Sequence, residues 1–202
     1  KMRVTVNDAI AILNKGGIVM FPTDTAYGMG CRLDNSQAIE KLFQIRNRPI
    51  DKAVPVLVNG FEMATTYWKE PVSDNVRQLT EKHWPGGLTI VYWANVSMTP
   101  PPARGFAGTI GLRMPNHEIP LSLIKNIGVP LVGTSANFAG HATPFSFDAL
   151  DPLLVARVDG VIEGICGGEK SSTVVDCTVN PPKVLREGAV NINSKFEIRN
   201  SK

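Results

Sequence analysis

No single hydrophobic period holds for long in this chain, and that limits its possible folds more than any other feature. Short apolar runs at Ile18 to Phe21, Val54 to Val58, Leu88 to Trp93 and Val129 to Val132 alternate with stretches whose apolar residues recur at helical spacing. Such runs suit strands buried on both faces, and the stripes between them suit helices lying against those strands. Helices are predicted over Asn7 to Lys15, capped by Asn7 and stopped by Gly16 and Gly17, and over Ser36 to Ile45, with Ile39, Leu42 and Phe43 on one face. Others are predicted over Ser73 to His83, Leu121 to Ile127 and Phe147 to Val155. Further strands are expected at Thr109 to Arg113, Val158 to Ile162, Thr173 to Asp176 and Val184 to Arg186. Pro55 pushes the second run toward a sheet edge or a bulge. The interleaving predicts an α/β class, with one twisted, open sheet of mixed direction flanked by helices. The stretch 94–108 carries three consecutive prolines and reads as a mobile loop over something.

Length and composition narrow the class. With 202 residues, one domain over 1–190 and a polar tail over 191–202 is the expected organisation. Hydrophobic residues make up 43% and charged residues 19%, enough for a core without staples. Cys31, Cys166 and Cys177 are too scattered for a disulfide framework, and with three histidines at no ligand spacing they argue against a structural zinc site. No signal-like or membrane-length apolar run is present, so the cytoplasm is the expected location and no membrane partner is expected. A net charge of +3 does not by itself imply nucleic acid.

Five segments carry the polar equipment. In PTDTAYGMG, Pro22 to Gly30, Thr23 and Thr25 put two hydroxyls on one side of an extended chain, although a plain strand-turn-strand connection has the same look. Around RNRPIDK, Arg46 to Lys52, the basic groups Lys41, Arg46, Arg48 and Lys52 face a single nearby acid, Asp51. Two guanidiniums with a lysine behind them form a polyphosphate clamp, or else a solvated charged loop. Along GTIGLRMP, Thr109, Gly111 and Arg113 alternate against Ile110 and Leu112, a pattern that suits a cavity wall or a solvent-facing edge strand. GTSANFAG, Gly133 to Gly140, follows a buried strand, where open α/β sheets bind ligands and where ordinary loops of small residues also lie. The fifth is GGEKSSTVVD with the later Arg186. It is not a P-loop, because the G-x-x-x-x-G-K-[ST] spacing is missing.

No acid pair, Ser-His-Asp order or Cys-His pair stands out. Cations, hydroxyls and amides bind and orient anions, which suits phosphoryl or nucleotidyl transfer, where charge neutralisation supplies most of the catalysis.

In this order and spacing the five segments resemble the YrdC-like threonylcarbamoyl-AMP synthase family, over about Val6 to Val190. The resemblance implies a YrdC-like fold with a deep basic cavity. It implies an enzyme that makes threonylcarbamoyl-AMP and pyrophosphate from L-threonine, bicarbonate and ATP. Downstream threonylcarbamoyl-transfer proteins then pass the group to adenosine 37 of tRNA. Carried onto matching positions, Thr25, Arg113, Ser135 and Ser172 contact threonine, while Arg48, Lys52, Thr109, Asn137 and Arg186 contact ATP. Arg46, Arg48 and Lys52 form the catalytic phosphate clamp, with Mg2+ accompanying ATP.

The chain departs from the family pattern at three places. Arg46 stands where lysine is usual, so a fork replaces a point charge. Leu57 stands where many relatives carry histidine, and Phe145 where several have a hydroxyl. These departures leave open a paralogue acting on a different acyl-adenylate. An RNA-binding module of the same fold is the other alternative. The chain stops short of the C-terminal domain of longer relatives and so resembles the single-domain type.

Overall fold

A computed structural model describes residues 3–192 of the chain. The first elements are α1 (Val6–Asn14), β1 (Val19–Phe21), β2 (Gly28–Gly30), α2 (Ser36–Ile45), β3 (Val56–Leu57), α3 (Phe61–Tyr67), α4 (Asp74–His83) and β4 (Leu88–Trp93). There follow β5 (Thr109–Arg113), α5 (Glu118–Ile127), β6 (Leu131–Val132), β7 (Thr134–Ser135), α6 (Pro152–Val155), β8 (Gly160–Val161), β9 (Thr173–Asp176) and β10 (Lys183–Arg186).

The α/β class and the mixed strand directions are as expected, but the single sheet resolves into two. One has the order β7-β2-β1-β8, the other β10-β9-β4-β5-β3-β6. In the first, β1 pairs antiparallel with β2 and parallel with β8. In the second, β4 and β5 are antiparallel while β3 and β5 are parallel. The chain crosses between sheets at Gly133, the one residue separating β6 from β7. A Cβ there would sit 2.6 Å from Leu57 Cδ1. At Gly30 a Cβ would come within 1.8 Å of the Val132 carbonyl oxygen, so any side chain at that position forces the two sheets apart.

The larger apolar cluster includes Tyr27, Met29, Ile39, Leu42, Trp68 and Leu88. A smaller one joins α1, β1 and α5 through Leu13, Phe21, Leu123 and Ile124. Each such fully buried Leu, Ile or Phe contributes about 1.5–3 kcal/mol relative to exposure.

Several local expectations change, each for a physical reason. Thr5, not Asn7, caps α1, because Thr5 and Asp8 close a reciprocal capping box. β3 lies between β5 and β6 and not at an edge. Pro55 is tolerated because it precedes the strand, and its carbonyl accepts from the Gly133 N–H at 3.0 Å. The 94–108 stretch is an anchored turn and not a free loop. Its 3-10 helix Pro101–Arg104 buries Pro102, Ala103 and Arg104, and the Val54 N–H donates to the Ala103 carbonyl. The helix expected over Phe147 to Val155 breaks into a 3-10 turn, Phe147–Ala149, and α6, because Pro152 cannot donate the N–H that would join them. Helix α3 forms over a stretch that carries no strong sequence signal.

Among the described residues no helix is long and apolar enough to cross a membrane. Of the expected tail over 191–202, Ile192 packs against the larger cluster, and 193–202 lie outside the described residues.

Candidate active site

Both sheets contribute to one open cleft of about 130 Å³. Thr25, Arg46, Arg48, Arg113, Ser135, Ser172 and Arg186 all line it. The five polar segments therefore converge.

The first corner forms where β1 runs into Pro22. The Thr23 and Thr25 hydroxyls lie 3.1 Å apart, and Thr23 Oγ1 donates to the Ala26 carbonyl at 2.7 Å, so local geometry fixes both on one side. Arg113 reaches this corner from the end of β5, where Ile110 and Leu112 are buried on the opposite face. Its Nη1 donates to Thr25 Oγ1 at 2.8 Å and its Nε to the Gly86 carbonyl at 3.0 Å. Its Nη2 forms an ion pair with Asp24. Burial depresses the Arg113 pKa, and the Asp24 charge opposes that shift.

At the second corner, the end of α2 closes in a Schellman turn. Asn47 is left-handed (φ 52°), its N–H bonds to Gln44, and the Arg48 N–H bonds to Phe43 at 2.9 Å. That turn aims Arg46 and Arg48 at the cleft. Arg46 is 3% exposed. Its Nε donates to the Asn137 carbonyl at 2.8 Å and its Nη2 to Asn137 Oδ1 at 3.1 Å and, weakly, to Ser135 Oγ at 3.4 Å. Its Nη1 donates to Thr134 Oγ1. Burial first, then the neighbouring Arg48, pushes its pKa down to about 10. Arg48 is used differently. Its Nη2 donates to the Ala53 carbonyl, but its Nε is buried with no hydrogen-bond partner among the described residues.

The third corner holds Ser172 and Arg186. Ser172 Oγ lies 2.9 Å from Thr89 Oγ1, and Arg186 donates to the Ser172 carbonyl at 2.7 Å and to its hydroxyl at 3.0 Å.

Three expected contacts fall elsewhere. Asn137 stands behind the wall, its amide spent on Arg46 and on the His141 carbonyl at 2.6 Å. Thr109 is outside the cleft lining because it begins β5 while Arg113 ends it, roughly 13 Å away at about 3.3 Å per residue. Lys52 is also outside the lining, exposed in a turn closed by its own N–H on the Pro49 carbonyl. Leu57 lines the cleft with an apolar surface, and Phe145 faces a neighbouring hollow with Cys166. Asp24 was missed; the available signal was a carboxylate set between two threonines that point to one side. Among the described residues no group of three or more His, Cys, Asp or Glu is arranged to hold a metal ion.

A known family matches most of the chain. The family described as "Telomere recombination" (Sua5, YciO, YrdC) matches residues 11–188. The chain belongs to the Sua5/YciO/YrdC family. A relative from Xanthomonas campestris pv. campestris, named threonylcarbamoyl-AMP synthase, is 35% identical over 83% of this chain and 89% of its own length. Among solved structures, Pyrococcus abyssi Sua5 complexed with L-threonine superposes with a TM-score of 0.85 at 30% identity, covering 93% of this chain and 56% of Sua5. Escherichia coli YciO superposes with a TM-score of 0.80 at 28% identity, covering 93% and 91%. This Sua5/YciO/YrdC chain spans 54% of the length of the threonylcarbamoyl-AMP synthase of Bacillus subtilis, about half of that relative.

Proposed function

We propose that this chain is an L-threonylcarbamoyladenylate synthase, a nucleotidyltransferase that joins L-threonine, bicarbonate and ATP and releases pyrophosphate. The observation that carries the reading is the convergence of seven of the expected polar side chains, four of them arginines, in one cleft. The names of the relatives support it, as does the threonine complex of Sua5.

The neutral threonine amine attacks the bicarbonate carbon, an N–C bond forms and water leaves. A carbamate oxygen then attacks the α-phosphorus of ATP, an O–P bond forms and pyrophosphate leaves. Arg113 holds the threonine carboxylate, and Thr25, Ser135 and Ser172 supply hydroxyls around the substrate. Arg48 and Arg186, which both line the cleft, take the polyphosphate. Arg46 has at most one N–H left for a ligand, so it serves the clamp mainly by shaping the Thr134 to Asn137 loop. Asn137 bounds the nucleotide side from behind Arg46. Magnesium would accompany ATP and supply counter-charge to its phosphate oxygens. The product passes to adenosine 37 of tRNA through partner proteins.

The test incubates the protein with MgATP, labelled threonine and bicarbonate and measures pyrophosphate. Release that requires both co-substrates is expected. The apolar Leu57 and the closed Arg46 network favour one competitor, a paralogue that activates a different acid. Pyrophosphate released with another amino acid, or without bicarbonate, would select it.

A further inference from the structure

Asp24 does not line the cleft; it stands behind Arg113. The two side chains are 13% and 7% exposed, so this ion pair is largely cut off from water. Burying a carboxylate is costly, and the backbone around this one leaves it little freedom. Gly167 and Gly168 press against it. A Cβ on the first would lie 3.0 Å from Asp24 Cα, and one on the second 3.1 Å from the Asp24 carbonyl oxygen. The Gly167 N–H also holds the Thr23 carbonyl at 2.9 Å.

A guanidinium has five N–H groups. On Arg113 the Nε–H goes to Gly86, one Nη1 hydrogen to Thr25 and one Nη2 hydrogen to Asp24. One N–H therefore remains on each terminal nitrogen of a side chain that lines the cleft. We propose that Asp24 is a positioning residue for the amino-acid substrate. It clamps Arg113 so that this pair of N–H groups serves the cleft, and it cancels the Arg113 charge so that the seat takes a carboxylate and not a polyphosphate. Arg46 and Arg48, which have no carboxylate partner among the described residues, are left to attract the phosphates.

The inference rests on reading Arg113 as the seat of the threonine carboxylate, and the experiment separates the two. Threonine binding to the full chain is measured by calorimetry for wild type, Asp24→Asn, Arg113→Gln and the double variant, with inorganic pyrophosphate as competitor. Asp24→Asn is expected to weaken threonine about tenfold, the effect of one charge-assisted hydrogen bond, and to let pyrophosphate displace it. In the Arg113→Gln background the same change should cost less than about twofold, because the group it acts through is gone. If Arg113→Gln leaves threonine binding intact, the carboxylate seat itself is wrong. If Arg113→Gln weakens threonine but Asp24→Asn does not, or Asp24→Asn costs the same in both backgrounds, only the positioning role is overturned. Asp24→Glu guards against misfolding of the neutral variant. It keeps the charge on a longer arm, so pyrophosphate should stay excluded while threonine weakens several-fold. Unchanged threonine binding there would also overturn the role.

Discussion

Arg113 and Arg46 are both buried, both line the same cleft, and are held by opposite means. Arg113 has a carboxylate partner in Asp24 with a hydroxyl and a carbonyl beside it. Arg46 has only neutral acceptors, all from the Thr134 to Asn137 loop. The contrast separates two uses of one residue type. At Arg113 the charge is balanced locally, and what remains is directional donors. At Arg46 the charge is uncompensated while the donors are nearly all consumed, so the group shapes a loop and lends the cleft its positive potential.

The largest effect should come from cutting the balanced pair. Arg113→Ala strands the buried Asp24 carboxylate, and urea denaturation should show a loss of about 3–5 kcal/mol. Adding Asp24→Asn should recover most of that loss, because the stranded charge is removed. If the double variant stays as unstable as the single, packing and not charge holds that corner. Arg46→Ala should cost less, about 1–3 kcal/mol by the same measurement, since it orphans neutral acceptors that water can satisfy. It should also weaken an ATP analogue more than threonine. A loss as large as that of Arg113→Ala would erase the distinction between the two corners.

The smallest effect concerns Tyr27, next along the chain from the Arg113 corner. Its hydroxyl bonds to the Ile162 carbonyl at 3.0 Å and accepts from the Gly164 N–H at 2.9 Å, and burial pushes its pKa up from 10 to about 12. A phenol whose folded pKa is raised stabilises fully below pH 10 and loses that contribution as pH rises through about 12. Tyr27→Phe should therefore cost about 1 kcal/mol at neutral pH, and thermal melts should show the gap to wild type narrowing above pH 10.

Much of the fold was legible because it is written in local patterns. The run Ile18 to Phe21, the stripe Ile39, Leu42 and Phe43, and the alternation along Thr109 to Arg113 each specify an element and its buried face. The split into two sheets was not legible. It depends on Gly133 passing under Leu57 and Gly30 under Val132, contacts between residues far apart in the chain. Thr109 shows the same limit within the site. Its face was read correctly, but the distance along its strand, which keeps it out of the cleft, needed the position of the other walls.

The amino-acid order alone determined the α/β class, the polar segments and the side of the backbone on which Thr25 and Arg113 lie, because neighbours along a chain set periodicity and facing. Only the tertiary structure decided which cation meets which acceptor. Asp24 and Arg113 are 89 residues apart, and Arg46 and Asn137 are 91 apart. Nothing in either local pattern encodes such a pairing, since it follows from the order in which strands assemble. That assembly gives Arg113 a counter-charge and leaves Arg46 without one.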